Sequence, residues 1–167
     1  MTGRLHHLLR DRKASAAAEM ALVLPLLVPL MFGGLELGNY FMNEHTLVKA
    51  VRNGARFAAR QGFANYTACT GSPGGTVVAD TKNLVMRGYL SGGSIITPNI
   101  DSTDITVETG CVGTVGTESM TGIYFGRANG AQIVTVSASV TYRPVVGFFG
   151  FNGIELNAAS QAAVAGI

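Results

Sequence analysis

Charge is scarce in this sequence. Of 167 residues only 13% are charged, about half the ~25% of an ordinary soluble domain. Apolar residues make up 47%. That excludes global disorder, which needs low hydrophobicity and high net charge, and it leans toward membrane or surface-structural proteins rather than a solvated cytosolic enzyme. Histidine is nearly absent: His6, His7 and His45 are the three, and none follows position 45. They lack metal-ligand spacing. There is no G-x-S-x-G, P-loop, H-E-x-x-H or dinucleotide fingerprint, so no catalytic residue, metal ligand or cofactor-binding residue is assigned. Beyond the first segment the only dense basic group is Lys49, Arg52, Arg56 and Arg60, without the interleaved aromatics of a nucleic-acid footprint, so nucleic acid is not expected as a partner. The length suits one domain with or without an appended anchor.

The few charges are unevenly placed. Residues 1–13 carry four cations, Arg4, Arg10, Arg12 and Lys13, against Asp11, a net of +3 that leaves −1 for the rest of a chain totalling +2. From Met20 to Leu35 nothing is charged. Ala14 to Leu35 is long enough, at ~1.5 Å rise per residue, to span the ~30 Å hydrocarbon core as a helix. The cations precede this segment and the first charges after it are Glu36 and Glu44. The positive-inside rule then puts the N-terminus in the cytoplasm and everything after about Leu37 outside. Pro25 and Pro29 predict a kink or softened stretch, tolerated in lipid. A cleavable secretory signal would carry its small-residue cut site after the apolar run. Here Phe32-Gly33-Gly34-Leu35-Glu36-Leu37 follows the run and the alanines precede it.

Glu19 stands between the basic start and the apolar run. One reading has it solvated at the cytoplasmic headgroup level. The other has the chain cut between Ala14 and Ser15, which makes Glu19 the fifth mature residue and leaves a new α-amino group at Ser15. A carboxylate in a low dielectric needs a partner, and the amino terminus of a neighbouring copy supplies one.

Beyond the membrane a helical period continues through Leu37, Phe41, Leu47, Val48, Val51, Ala55 and Ala58, with Lys49, Arg52, Arg56 and Arg60 on the opposite side. Gly62 is the expected C-terminal stop. The basic stripe reads as a solvated face or as a contact with anionic lipid or an acidic partner subunit. Gly33, Gly34 and Gly38 permit close helix approach in lipid, Gly34 and Gly38 forming a G-x-x-x-G.

Residues 63–167 change texture, with many Gly, Ser, Thr and Val. Thr76–Leu90 reads as a short helix with Val77, Leu84, Val85 and Met86 as its apolar positions. Ile105–Glu108, Ile133–Tyr142 and Ile154–Val164 alternate as half-buried strands, with Val134, Val136, Ala138 and Val140 on one face of the second. Asn129-Gly130 and Asn152-Gly153 are hairpin-type turn signals. The expected fold class is α+β: a long N-terminal transmembrane and amphipathic α-helix packed against a small antiparallel β-sheet domain. Cys69 and Cys111, the only cysteines, are predicted to close a disulfide on the oxidising side, worth about 4 kcal/mol on the chain-entropy model. Asp80, Asp101, Asp104 and Glu108 read as solvated loop acids. In "VVGFFGFNG", Val145 to Gly153, the three phenylalanines either plug the sheet edge or form an exposed patch that docks a partner.

The stretch from Arg12 to Met20, the run containing "LVLPLL", then "GGLELGNYF" and "VRNGARFAAR" resemble the TadE-like family, minor pseudopilins of the bacterial tight-adherence (Tad/Flp) pilus system. The resemblance covers roughly residues 10–62, with a looser likeness in the final "IELNAASQAAV". It implies a leader, residues 1–14, removed by a dedicated prepilin peptidase, and a mature helix held in the inner membrane over 15–37 and extended over 38–62. With the α+β domain over 63–167 placed outside by the charge asymmetry, it further implies a pilin-like structural subunit working with other pilin or pseudopilin subunits and the assembly machinery. Glu19 matches the family's glutamate at the fifth mature position. The residue before the cut, usually glycine, is Ala14 here, and Met20 stands where an aromatic is frequent. The competing reading is an uncleaved single-pass anchor carrying a periplasmic binding or interaction module.

Overall fold

The structure, a computed structural model, describes residues 12–97, 99–112, 121–127, 130–147 and 153–166, with side chains from Ser15 onward. One helix organises it. Helix α1 runs from Arg12 to Ala59 without interruption. Pro25 and Pro29 lie inside it, and the helix is continuous through both. Each proline removes one backbone donor and leaves the surrounding ladder of hydrogen bonds in place.

The two halves of α1 have opposite environments. From Ser15 to Met31 every residue is exposed, including Leu22, Leu26 and Leu30 at 80%, 66% and 66%. From Glu36 onward one face is buried: Glu36, Leu47, Ala50, Val51, Gly54, Ala55, Ala58 and Ala59. Small residues dominate this face because other elements lie close against it. A Cβ on Gly54 would stand 2.5 Å from Val85 Cγ2 and 3.3 Å from Thr81 Cγ2. The expected apolar face is corrected at its start. Leu37 and Phe41 are about half exposed, and stepping back from Leu47 by three and four residues leads instead through Asn43 and Tyr40 to Glu36. Lys49, Arg52, Arg56 and Arg60 are exposed, opposite the core.

The end of α1 also differs from expectation. Gly62 has φ −56° and ψ 142°, so it is not a left-handed cap. The helix stops at Ala59 because other groups satisfy its last carbonyls. The Tyr66 hydroxyl donates to Ala58 O at 2.5 Å and the Ala165 amide donates to Ala59 O at 2.7 Å. Gln132 Nε2 donates to Tyr66 O, Arg127 donates to Gln132 Oε1 and its guanidinium lies 3.5 Å over the Phe63 ring. This end of the helix is thereby tied to the sheet.

Helix α2, Val77–Arg87, is shorter than the expected Thr76–Leu90. Gly88 takes a left-handed φ of 74° and its amide closes onto Leu84 O, a conformation that ends a helix at little cost in glycine alone. Its buried face is Val77, Thr81, Val85 and Met86. Thr81 therefore takes the core position assigned to Leu84, which is half-buried.

Three strands form an antiparallel meander in the order β1-β2-β3: Ile105–Val112, Ala131–Thr141 and Glu155–Ala163. Val107 pairs with Val136, and Ala138 stands between Ile105 and Ala158. The alternation read from the sequence holds in β2, where Gln132, Val134, Val136, Ala138 and Val140 face the core. One sheet face is closed by α1 and α2, giving the α+β layout. Val51, Val85, Val134, Val136 and Val164 are fully inaccessible, each such side chain contributing about 1.5–3 kcal/mol by leaving water. The connections between strands are far longer than two-residue turns. Gly130 and Gly153 take left-handed φ of 71° and 80°, while Asn129 and Asn152 lie outside the described residues.

Cys69 and Cys111 are joined by a disulfide with a Cα–Cα distance of 5.0 Å, as expected. It staples the 69–75 loop to the free edge of β1. There the amide and Oγ1 of Thr109 both donate to Gly71 O, at 2.7 and 3.0 Å. Asp101 and Asp104 are more than solvated acids: they form a reciprocal capping box on the short turn before β1, with Ser102 N donating to Asp101 and Asp101 N to Asp104 Oδ2.

Candidate functional site

The two acids that bracket the apolar part of α1 have contrasting settings. Glu19 is exposed, and its one described side-chain contact is a long one, 3.5 Å from Ser15 Oγ one turn earlier. Ala14 and Ser15 lie within α1. Gly34 and Gly38 are exposed, and a Cβ on either, or on Gly33, would meet nothing within 4 Å. The small-residue stripe is therefore open to a neighbour.

Glu36, by contrast, has no accessible surface. It occupies a position where the helical period calls for an apolar side chain, and burial of a carboxylate is costly unless hydrogen bonds replace its water. Three donors do so. Tyr142 Oη donates to Oε1 at 2.5 Å, Val145 N donates to the same oxygen at 3.1 Å, and Val146 N donates to Oε2 at 2.8 Å. A carboxylate accepts on both oxygens, and charge-assisted bonds of this kind are stronger than neutral ones. Asn39, one turn along α1, donates Nδ2 to Tyr142 Oη at 2.8 Å and its own carbonyl accepts from Asn43. Tyr40 packs edge-on against the Tyr142 ring with centroids 5.3 Å apart. Burial, and secondarily the adjacent Glu36, push the Tyr142 hydroxyl above its ordinary value, which keeps it a donor.

Tyr142 lies one residue beyond β2, and its amide still pairs with Ile154 O. The sheet therefore sets the phenol's position while the following loop turns its backbone donors onto the helix. This is the point at which α1 passes from uncovered to covered. Sequence reasoning placed Glu36 only as the first charge after the apolar run. The signal that finds it is the phase of the buried face, together with a tyrosine at the end of the central strand.

On the outer face of the sheet an open concavity of about 420 Å³ is lined by residues including Asp104, Thr106, Ser137, Ser139 and Asn157. It presents one carboxylate among hydroxyls and an amide. Phe148, Phe149 and Phe151, for which two roles were expected, lie outside the described residues.

Fold and site together define a class: a chain whose N-terminal helix is long and apolar enough to cross a membrane and nearly uncovered there, continuing as the spine of a small α+β head. Residues 14–56 match the family model described as TadE-like protein, the family that this part of the sequence resembles. The TadE-like segment is thus the anchor helix and its covered extension, through the Glu36 site and almost to the end of α1. No curated protein and no solved structure matches the chain.

Proposed function

We propose that this chain is a prepilin-like minor pilin, or pseudopilin, that acts in the assembly of a Tad/Flp-type adhesive pilus as a structural subunit without enzymatic activity. The observation that carries the reading is the uncovered half of α1. A continuous helix with a bare apolar surface on one side of Glu36 and a folded head on the other is suited to a subunit held in the inner membrane that packs beside other pilin-type helices. The match over residues 14–56 supports it.

In this reading the N-terminus is cytoplasmic and the head periplasmic, where an oxidising compartment suits the Cys69–Cys111 bond. The prepilin peptidase removes residues 1–14. Glu19, exposed and without a charged partner in its own described surroundings, pairs with the free amine of an adjacent mature subunit or is recognised by the assembly machinery. Glu19→Ala should leave membrane insertion intact and reduce the number of pili per cell; unchanged piliation removes the pairing role. The uncleaved-anchor reading draws on Ala14 in the place of the usual glycine. N-terminal sequencing of the membrane-purified protein separates the two, a start at Ser15 supporting the pseudopilin and an intact Met1 the anchor.

A further inference from the structure

The depth of Glu36 along the helix has a consequence for the head. Counted from Met20, the first residue after Glu19, Glu36 lies about 24 Å along a helix rising ~1.5 Å per residue; counted from Ala14 it lies about 33 Å along. The hydrocarbon core is ~30 Å thick, so its outer boundary runs close to Glu36 or beyond it. Apolar exposure on α1 does not stop at Glu36 either: Leu35, Leu37, Phe41 and Met42 are 62%, 47%, 48% and 73% exposed. A carboxylate at this depth is tolerated only with donors supplied locally, because lipid offers none. Its three donors come from Tyr142, Val145 and Val146, which holds the loop after β2 at the same level as Glu36. At that level Val145 turns an apolar side chain outward, 74% exposed, and Arg143 beside it is exposed as well.

We infer that residues 143–147 seat the head in the outer leaflet of the bilayer, with Val145 contacting lipid and the loop sealing Glu36 from it, so that the protein has a second membrane contact besides its helix. The occupant is lipid because the Val145 and Val146 amides bind Glu36, between the exposed Leu35 and Leu37, so the loop lies at the level of the exposed apolar side chains of α1. Arg143, with a long aliphatic stem, reaches back to the headgroup phosphates. The inference rests on the membrane-spanning reading of α1.

The chain contains no tryptophan, so single replacements act as clean probes. The full chain is reconstituted into phosphatidylcholine/phosphatidylglycerol vesicles with and without brominated phosphatidylcholine, carrying Val145→Trp, Leu27→Trp in the anchor, or Phe125→Trp. Phe125 is 75% exposed and follows Tyr124, whose ring meets Phe63 beyond the far end of α1. Val145→Trp should be blue-shifted and lose at least half as much emission to the brominated lipid as Leu27→Trp, with Phe125→Trp unaffected. Val145 quenching no greater than that of Phe125, beside a quenched Leu27, overturns the seated loop. An unquenched Leu27→Trp overturns the membrane span itself. Arg143→Trp gives an independent reading of the loop if the replacement at Val145 disturbs folding, with shallower quenching expected and none counting against the proposal.

Discussion

The hydroxyl of Tyr142 donates to the carboxylate of Glu36 at 2.5 Å across a sequence separation of 106 residues. This contact joins the first buried residue of α1 to the end of the central strand. Removing the hydroxyl leaves a buried carboxylate short of one donor, which costs more than the net value of an ordinary hydrogen bond. Tyr142→Phe should lower the melting temperature of the detergent-solubilised protein by roughly 4–8 °C or more. Glu36→Ala should lower it further, since it strands a phenol and two amides. Circular dichroism melts check the order wild type, Tyr142→Phe, Glu36→Ala.

Gly54 lies directly against Val85 and Thr81 of α2. Gly54→Ala places a methyl 2.5 Å from Val85 Cγ2, which the packed helices cannot absorb freely; the expected loss is about 1–3 kcal/mol. Val85→Ala opens a cavity on its own. The double variant should recover part of the sum, a coupling that a double-mutant cycle by chemical denaturation measures.

Thr81 carries a buried hydroxyl, and its Oγ1 has no hydrogen-bond partner among the described residues. Replacing it with an isosteric methyl removes a desolvation cost and keeps the packing against Gly54. Thr81→Val should raise stability by about 1 kcal/mol, or some 2–4 °C in melting temperature.

Burial pushes the Tyr66 hydroxyl from 10.0 up to about 12. The unfolded chain gives up this proton first, so the contribution of the neutral phenol is complete below pH 10 and is lost as pH rises through about 12. Stability should fall across that window, and Tyr66→Phe should flatten the fall while lacking the Ala58 bond at neutral pH. Phenolate absorbance should show one tyrosine, absent in Tyr66→Phe, that ionises only as pH rises to about 12.

Much of this arrangement is legible in the sequence because it rests on periodicity. The uncharged run, the basic stripe and the alternation of β2 each follow from spacing alone, and the cysteine pair follows from there being two. What is not legible has a common physical cause: a tertiary partner displaces a local preference. Leu37 and Phe41 look like core positions until Tyr142 arrives to make Glu36 the buried residue. Gly62 looks like a cap until Tyr66 and Ala165 satisfy the helix end three residues sooner. Thr81 yields no apolar signal, yet it is fully buried with its methyl against Gly54. The role expected of Glu19 rests on the sequence, and its described surroundings in a single chain add only Ser15.

The meander sets an order of events. Helix α1 is made first, but β3 is made last among the described elements, and β3 is one of the surfaces against which the helix packs. Until residues 155–164 have left the ribosome, a helix whose buried face is rich in alanine waits without its lid, open to chaperones and proteases. A nonsense codon in β3 should therefore remove the whole head from the cell, rather than trim its edge.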